Sequence, residues 1–341
     1  MVFSSGTVIN QQISSATIRT FFVGYDLGEY RNEPFTEILL DTIVDFAFGY
    51  HTGILQKYDR RMLKEAARSI YKIKEYQEVK WVYVDKDEEL SDCELKNEQK
   101  FLKRGEFGEM ILHLILRDFF NTVPLLAKVH FKDTDSSTIH GFDIVHIGPD
   151  IGDPNKESLF FGESKLYSRK DGQAGIHGIT DLLNDVKDHF KKDFLYREFA
   201  LISKKKDAFK AIEEYEDRNT LEEYSAFLER KKVWYERLSF VEAGKMKLED
   251  LFKSVTIPVI CTYQSKIFEN KINENSAEFQ DELSKEVGLL STMFNSSISA
   301  MRAEVGELIR TNLNVVLLLF PIPSKKQLIK SLHEKLYKYQ A

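Results

Sequence analysis

The sequence predicts an α/β fold, a mixed central sheet flanked by helices, with additional largely helical N- and C-terminal regions. Two observations in the middle of the chain carry this prediction. Val123 to Phe131, Phe142 to Ile147 and Leu159 to Lys165 are apolar runs of strand length, separated by polar turns at Asp133–Ser137 and Pro149–Glu157, and they stand between two helical patterns. The last two runs are apolar on both faces, which suits central strands with a layer on each side. A third observation lies further on: Phe279, Leu283, Val287, Leu290, Phe294, Ile298, Met301, Val305 and Leu308 step by three or four, as in one long amphipathic helix or two in tandem.

Taken in order, Thr17 to Asp26 alternates as a strand, and Glu37 to Phe48 and Arg60 to Ile73 have helical spacing. Trp81 to Val84 is a short β-like stretch. The polar segment Asp85 to Glu98 is a loop leading into the core. A helix over Asn97–Phe120 is apolar almost all round from Met110 to Leu116, which marks it as buried, and Gly172 to Phe190 forms the helix after the three strands. Strands at Val255–Thr262 and Val315–Phe320 bracket the long helix, the second ended by Pro321 and Pro323. The pattern leaves open whether they extend the central sheet or build their own layer. The chain divides into an N-terminal α+β region over 1–95 suited to partner docking, a core over 96–205, and a mostly helical region over 206–341 with strands near 255–262 and 315–320 that could complete the core.

With 341 residues, 43% of them hydrophobic, the chain can bury a substantial core. A net charge of -6 gives no global field to attract nucleic acid, so DNA contact would rest on a partner or on local clusters such as Lys204–Lys206 and Arg230–Lys232. Short Lys runs are, however, more often solvated helix faces. Cys93 and Cys261 form no CxxC pair, which argues against a disulfide scaffold or a Cys-based zinc site and fits a reducing cytoplasm. The N-terminus lacks a basic segment followed by an apolar core, and the longest apolar stretch, Val315 to Phe320, is too short to span a bilayer, so a cytoplasmic protein off the membrane is expected.

Several chemistries are unsupported. There is no GxxxxGK[ST] loop and no GxGxxG; Gly172, Gly175 and Gly178 recur every third residue with no Lys after them. Gly162-Glu163-Ser164 lacks the second glycine of a nucleophile elbow. No HExxH occurs, and His177 and His189 are too far apart along one helix to share a metal. His140 and His146 lie near Asp143, where a satisfied strand histidine is the default.

One constellation does carry chemistry. Side chains two apart on a strand share a face, so Glu163 and Lys165 point together, and a hairpin brings Asp143 beside them. Phosphodiester hydrolysis needs an activated water and counter-charge for the phosphate, and a divalent metal supplies both. Mg²⁺ prefers carboxylates and waters, so Asp143 and Glu163 are candidate ligands and the Ser164 carbonyl could complete the set. Lys165 would orient the attacking water. A third carboxylate from the preceding helix is Glu109, preferred over Glu106 because it opens the most buried turns. Gln173 at the next helix start could reach back with a neutral amide. Glu-x-Lys occurs six times in the chain, but only at Glu163 does it lie in an apolar strand after an Asp-bearing strand. The competing interpretation is a Glu163–Lys165 salt bridge with Asp143 as a cap.

Together, Arg104-Gly105-Glu106-Phe107-Gly108-Glu109-Met110-Ile111-Leu112, His140-Gly141-Phe142-Asp143-Ile144-Val145-His146, Phe161-Gly162-Glu163-Ser164-Lys165-Leu166-Tyr167 and Leu317-Leu318-Leu319-Phe320-Pro321-Ile322-Pro323 resemble the nuclease component of the Hachiman anti-phage defence system, of the PD-(D/E)xK nuclease superfamily. The likeness runs from about Thr36 to the C-terminal helix. It implies a restriction-endonuclease-like core and a bacterial effector that pairs with a superfamily 2 helicase. Once infection disturbs DNA, such an effector cuts DNA with little sequence preference. Mg²⁺ would be the cofactor, with Mn²⁺ able to substitute. Asp143, Glu163 and Lys165 match the catalytic triad, and Glu109 matches the core-helix acid. Phe142 stands where the superfamily's name has a proline, at a position that is often degenerate. The rival function is a non-catalytic nuclease-like module that binds DNA ends or regulates the helicase.

Overall fold

The computed structural model describes residues 4–49, 60–70, 77–86, 91–94, 102–126, 142–189, 218–305 and 313–340. Its strands are β1 (Ile9–Ser15), β2 (Ile18–Val23), β3 (Tyr25–Asp26), β4 (Glu29–Tyr30), β5 (Val123–Leu126), β6 (Ile144–Pro149), β7 (Glu157–Tyr167), β8 (Val255–Gln264) and β9 (Asn314–Ile322). Its helices are α1 (Ser5–Val8), α2 (Asn32–Leu40), α3 (Ile43–Phe48), α4 (Arg60–Ile70), α5 (Gly105–Phe120), α6 (Ala174–His189), α7 (Arg218–Glu242), α8 (Leu248–Phe252), α9 (Ala277–Val305) and α10 (Lys325–Gln340).

One 7-stranded sheet runs β1-β2-β9-β8-β7-β6-β5, and β3 and β4 form a separate hairpin. The hairpins β1–β2, β6–β7 and β5–β6 are antiparallel, whereas β2–β9, β9–β8 and β8–β7 are parallel and therefore need helical crossovers. The late strands β8 and β9 thus extend the sheet that carries β7, and β2 from the N-terminal region pairs with β9.

Alternating side chains divide the core between the two faces. Leu317 and Leu319 of β9 and Val259 of β8 pack with Leu182 of α6, Trp234 of α7 and Phe279 of α9. Leu318 and Phe320 of β9 and Ile260 of β8 pack with Phe35 of α2, Val44 of α3, Leu112 of α5 and Leu332 of α10. Each such side chain, fully withdrawn from water, contributes about 1.5–3 kcal/mol before entropy is counted. The result is a mixed sheet flanked by helices, as the sequence predicts.

Four elements differ from the sequence pattern for physical reasons. Trp81–Val84 lies in a π-helical turn, Lys80–Asp85, in which Tyr83 is buried and donates its hydroxyl to the Leu102 carbonyl at 2.6 Å while Trp81 stays 59% exposed. Packing against α10 overrides the β preference of these aromatic and branched residues. Glu37–Phe48 is two helices, broken at Asp41–Thr42, where the Thr42 hydroxyl donates to the Leu39 carbonyl at 2.8 Å. β1 escapes sequence detection because its Asn10, Gln11 and Gln12 suit a solvated edge strand. Pro321 lies inside β9 and does not end it; it falls beyond Leu319, the last residue paired with β2, where no ladder bond on that side is lost. The expected strand residues 127–131 and helix residues 97–101 lie outside the described residues.

Candidate active site

β7 is covered on both faces, and its charged side chains are placed by a central strand. Gly162, Ser164 and Leu166 turn toward α5, while Glu163, Lys165 and Tyr167 turn toward α6. Glycine is required at position 162, because a Cβ there would come within 2.5 Å of Ile144 and 2.8 Å of Leu112. On the other side the β7–β8 ladder is interrupted opposite Phe161 and Gly162, where Pro258 has no N–H to give.

Asp143 stands one residue before β6. Its N–H donates to the Gly162 carbonyl at 2.8 Å, and its Oδ2 accepts from both the N–H and the hydroxyl of Ser164, each at 2.8 Å. These bonds fix Asp143 beside Glu163. Glu163 is only 7% exposed. Burial pushes its carboxyl well above the usual range, and the charges of Asp143, Asp185 and Glu109 add to the effect, against the opposing pull of Lys165. Burial would lower the Lys165 ammonium, but Asp185 first, and then Glu163 and Asp143, raise it.

Glu109 of α5 is the helix acid whose charge bears on Glu163. Glu106, one turn earlier, instead forms an ion pair with the buried Arg104. Close approach of α5 is possible at Gly108, where a Cβ would lie 3.3 Å from Leu166 and 3.5 Å from the Ser164 hydroxyl. Gln173 is not brought to this group. It is exposed at the turn before α6, with its N–H donating to Asp171 at 2.9 Å. The residue of α6 that meets the strand pair is Asp185, 2.5 Å from the Lys165 ammonium and roughly 18 Å further along the helix axis at 1.5 Å per residue. Sequence reasoning missed Asp185, whose only signal is its spacing of four from Asp181 on one helix face.

Behind Asp143 lies a buried polar chain that the sequence does not announce. His113 of α5 joins Asp45 of α3 at 3.1 Å and His146 of β6 at 3.0 Å, and His146 joins the Thr122 hydroxyl at 2.8 Å. The chain is satisfied when Thr122 donates to His146, His146 to His113 and His113 to Asp45, a tautomer set assigned from the network. Burial first, then His113 and Arg117, hold His146 well below the usual range and therefore neutral. Burial would raise Asp45, but His113 and Arg117, the latter donating at 3.2 Å, hold it below the ordinary carboxylate range. A cavity of about 10 Å³ between His113, His146, Ile144 and Asp143 has room for one water at most. His146 is thus a satisfied core histidine, and His140 lies outside the described residues.

The basic clusters do not make a phosphate-binding face among the described residues. Arg230 is taken by Glu157 at 2.5 Å, and Lys231 is 3% exposed with its ammonium 5.1 Å from the Tyr235 ring centre. Lys204–Lys206 lie outside the described residues. No helix among the described residues is long and apolar enough to cross a membrane.

Hard oxygen donors from Asp143, Glu163 and Glu109 suit a divalent cation, and the raised Glu163 carboxyl is the electrostatic counterpart of a site that a cation would relieve. Among the described residues no three His, Cys, Asp or Glu side chains are already gathered as a metal cage. No curated protein sequence matches the chain. A family model described as HamA matches residues 3–336, nearly the whole length. The chain therefore belongs to the HamA family of the Hachiman system, and its role lies in anti-phage defence.

Proposed function

We propose that this chain is the nuclease effector of its defence system, a metal-dependent deoxyribonuclease that works with a superfamily 2 helicase and hydrolyses DNA with little sequence preference. The observation that carries this proposal is the convergence of Asp143, Glu163 and Lys165 at the β6–β7 hairpin, with the charge of Glu109 acting on the same buried carboxyl. Glu163, Asp143, Glu109 and the Ser164 carbonyl would hold Mg²⁺ or Mn²⁺. The bound ion would lower the pKa of a water and offset charge on the phosphate.

The chain's own residues do the rest. Ser164 fixes Asp143 through two hydrogen bonds, so one carboxylate is already in place before substrate arrives. Lys165, kept protonated by its acidic neighbours, would orient the attacking water and meet the negative phosphate. The net charge of -6 leaves DNA delivery to a partner, which fits a division of labour with a helicase.

The test is cleavage of supercoiled and linear DNA by the purified chain with Mg²⁺ or Mn²⁺, with and without the helicase. Glu163→Ala and Lys165→Ala should each lower the rate by about 100-fold or more while DNA or partner binding persists. A variant that cuts like the parent removes that residue from the mechanism. Silence of the parent under every condition, with binding intact, would instead favour the non-catalytic module.

A further inference from the structure

α6 runs antiparallel to β7 and meets it in two successive rungs. Tyr167 donates its hydroxyl to Asp181, and Lys165 pairs with Asp185 at 2.5 Å. Two residues on a strand advance about 6.6 Å and four on a helix about 6 Å, so the rungs are in step. Glycines set the height of the helix. A Cβ at Gly178 would come within 2.5 Å of Cys261 in β8, and one at Gly175 within about 3.1 Å of the Tyr263 ring. The register of Asp185 on Lys165 is therefore built into how α6 lies on the sheet.

That register answers a problem posed by the strand. Lys165 shares a face with Glu163, two residues away, and its long side chain carries about 2 kcal/mol of rotamer entropy. Folded back on Glu163 it would neutralise the carboxylate needed for a cation. Asp185 draws the ammonium to the opposite side, toward the rim, where Lys165 is 28% and Asp185 43% exposed. Lys165 nonetheless stays within electrostatic reach of Glu163 and Asp143.

We infer that Asp185 is a positioning residue for the hydrolytic reaction: it holds Lys165 off Glu163 and at the rim where a DNA phosphate would enter. This inference rests on the nuclease proposal above.

The test uses the full chain and single-turnover cleavage of supercoiled DNA with Mn²⁺, alongside acylation of lysines by an amine-reactive ester read by peptide mass spectrometry. Asp185→Asn should slow cleavage by about 10-fold at saturating DNA, leave half-saturation and melting temperature within about 2-fold and a few degrees, and be largely recovered in Asp185→Glu. It should also raise acylation of Lys165 several-fold relative to Lys156, which is 76% exposed in its own pair with Asp153. Parent-like cleavage by Asp185→Asn overturns the inference, and faster cleavage would make Asp185 a restraint. Unchanged acylation of Lys165 overturns the pairing itself. If the parent does not cut while acylation responds as expected, the nuclease proposal fails and takes this role with it, although the ion pair stands.

Discussion

At the scale of single residues, Glu163 works against the stability of the fold that holds it. A buried carboxyl among Asp143, Asp185 and Glu109 has its folded-state pKa raised above the ordinary 4.5, so its stabilising contribution is full below about pH 4.5 and is lost as pH rises through the raised value. Glu163→Gln should therefore melt at higher temperature than the parent at pH 7–8 without divalent ions, by an amount equivalent to about 1–2 kcal/mol, with the gap closing near pH 4. Mn²⁺ should raise the melting temperature of the parent and not of the variant. No gap at pH 8 would show that Glu163 is not electrostatically strained. Asp143, Glu163 and Lys165 are legible in the sequence because a strand puts alternate residues on one face and a hairpin joins neighbours. Asp185, Asp45 and His113 are not, because their roles depend on how helices lie across the sheet, and no local pattern encodes that register.

Among the elements, α6 shows how a repeat without a motif acquires a meaning. Gly175 and Gly178 cradle no phosphate; they let the helix come down onto Tyr263 and Cys261. Gly178→Ala must push α6 outward or shift Cys261, and should cost about 1–3 kcal/mol in urea denaturation. Because the same movement carries Asp185 away from Lys165, cleavage should fall as well. Full activity and stability in this variant would mean that the helix height has slack. Strands β6, β7, β8 and β9 are readable because central strands are long and apolar on both faces. β1 is lost among polar residues, and Trp81–Val84 misleads because packing on α10 outweighs local preference.

Across the whole molecule, buried charges tie distant parts of the chain together. Lys325 at the start of α10 is 1% exposed and donates to Asp92 at 2.7 and 2.9 Å and to the Leu166 carbonyl at 3.0 Å, while Asp92 accepts the Ser168 N–H at 2.6 Å. Lys325→Met alone strands a buried carboxylate and should cost about 3–5 kcal/mol. Adding Asp92→Asn, which keeps the acceptor for Ser168, should restore part of that loss. A double variant less stable than the single would show that the ion pair is net stabilising.

The pairing of Ile18 with Leu317 has a consequence for how the protein comes into being. β2 emerges from the ribosome almost three hundred residues before its parallel neighbour β9, and β7 waits for β8 across a crossover that includes α6, α7 and α8. Contacts of such long range form slowly and only after the intervening loops are closed. A nascent chain halted before Asn314 leaves one edge of β8 and of β2 bare, prone to aggregation and unable to bury either core face. The strand that bears Glu163 and Lys165 is therefore set in a finished sheet only once synthesis has passed β9, so an incompletely translated chain would carry the chemistry of a DNA-cutting enzyme without the architecture to use it.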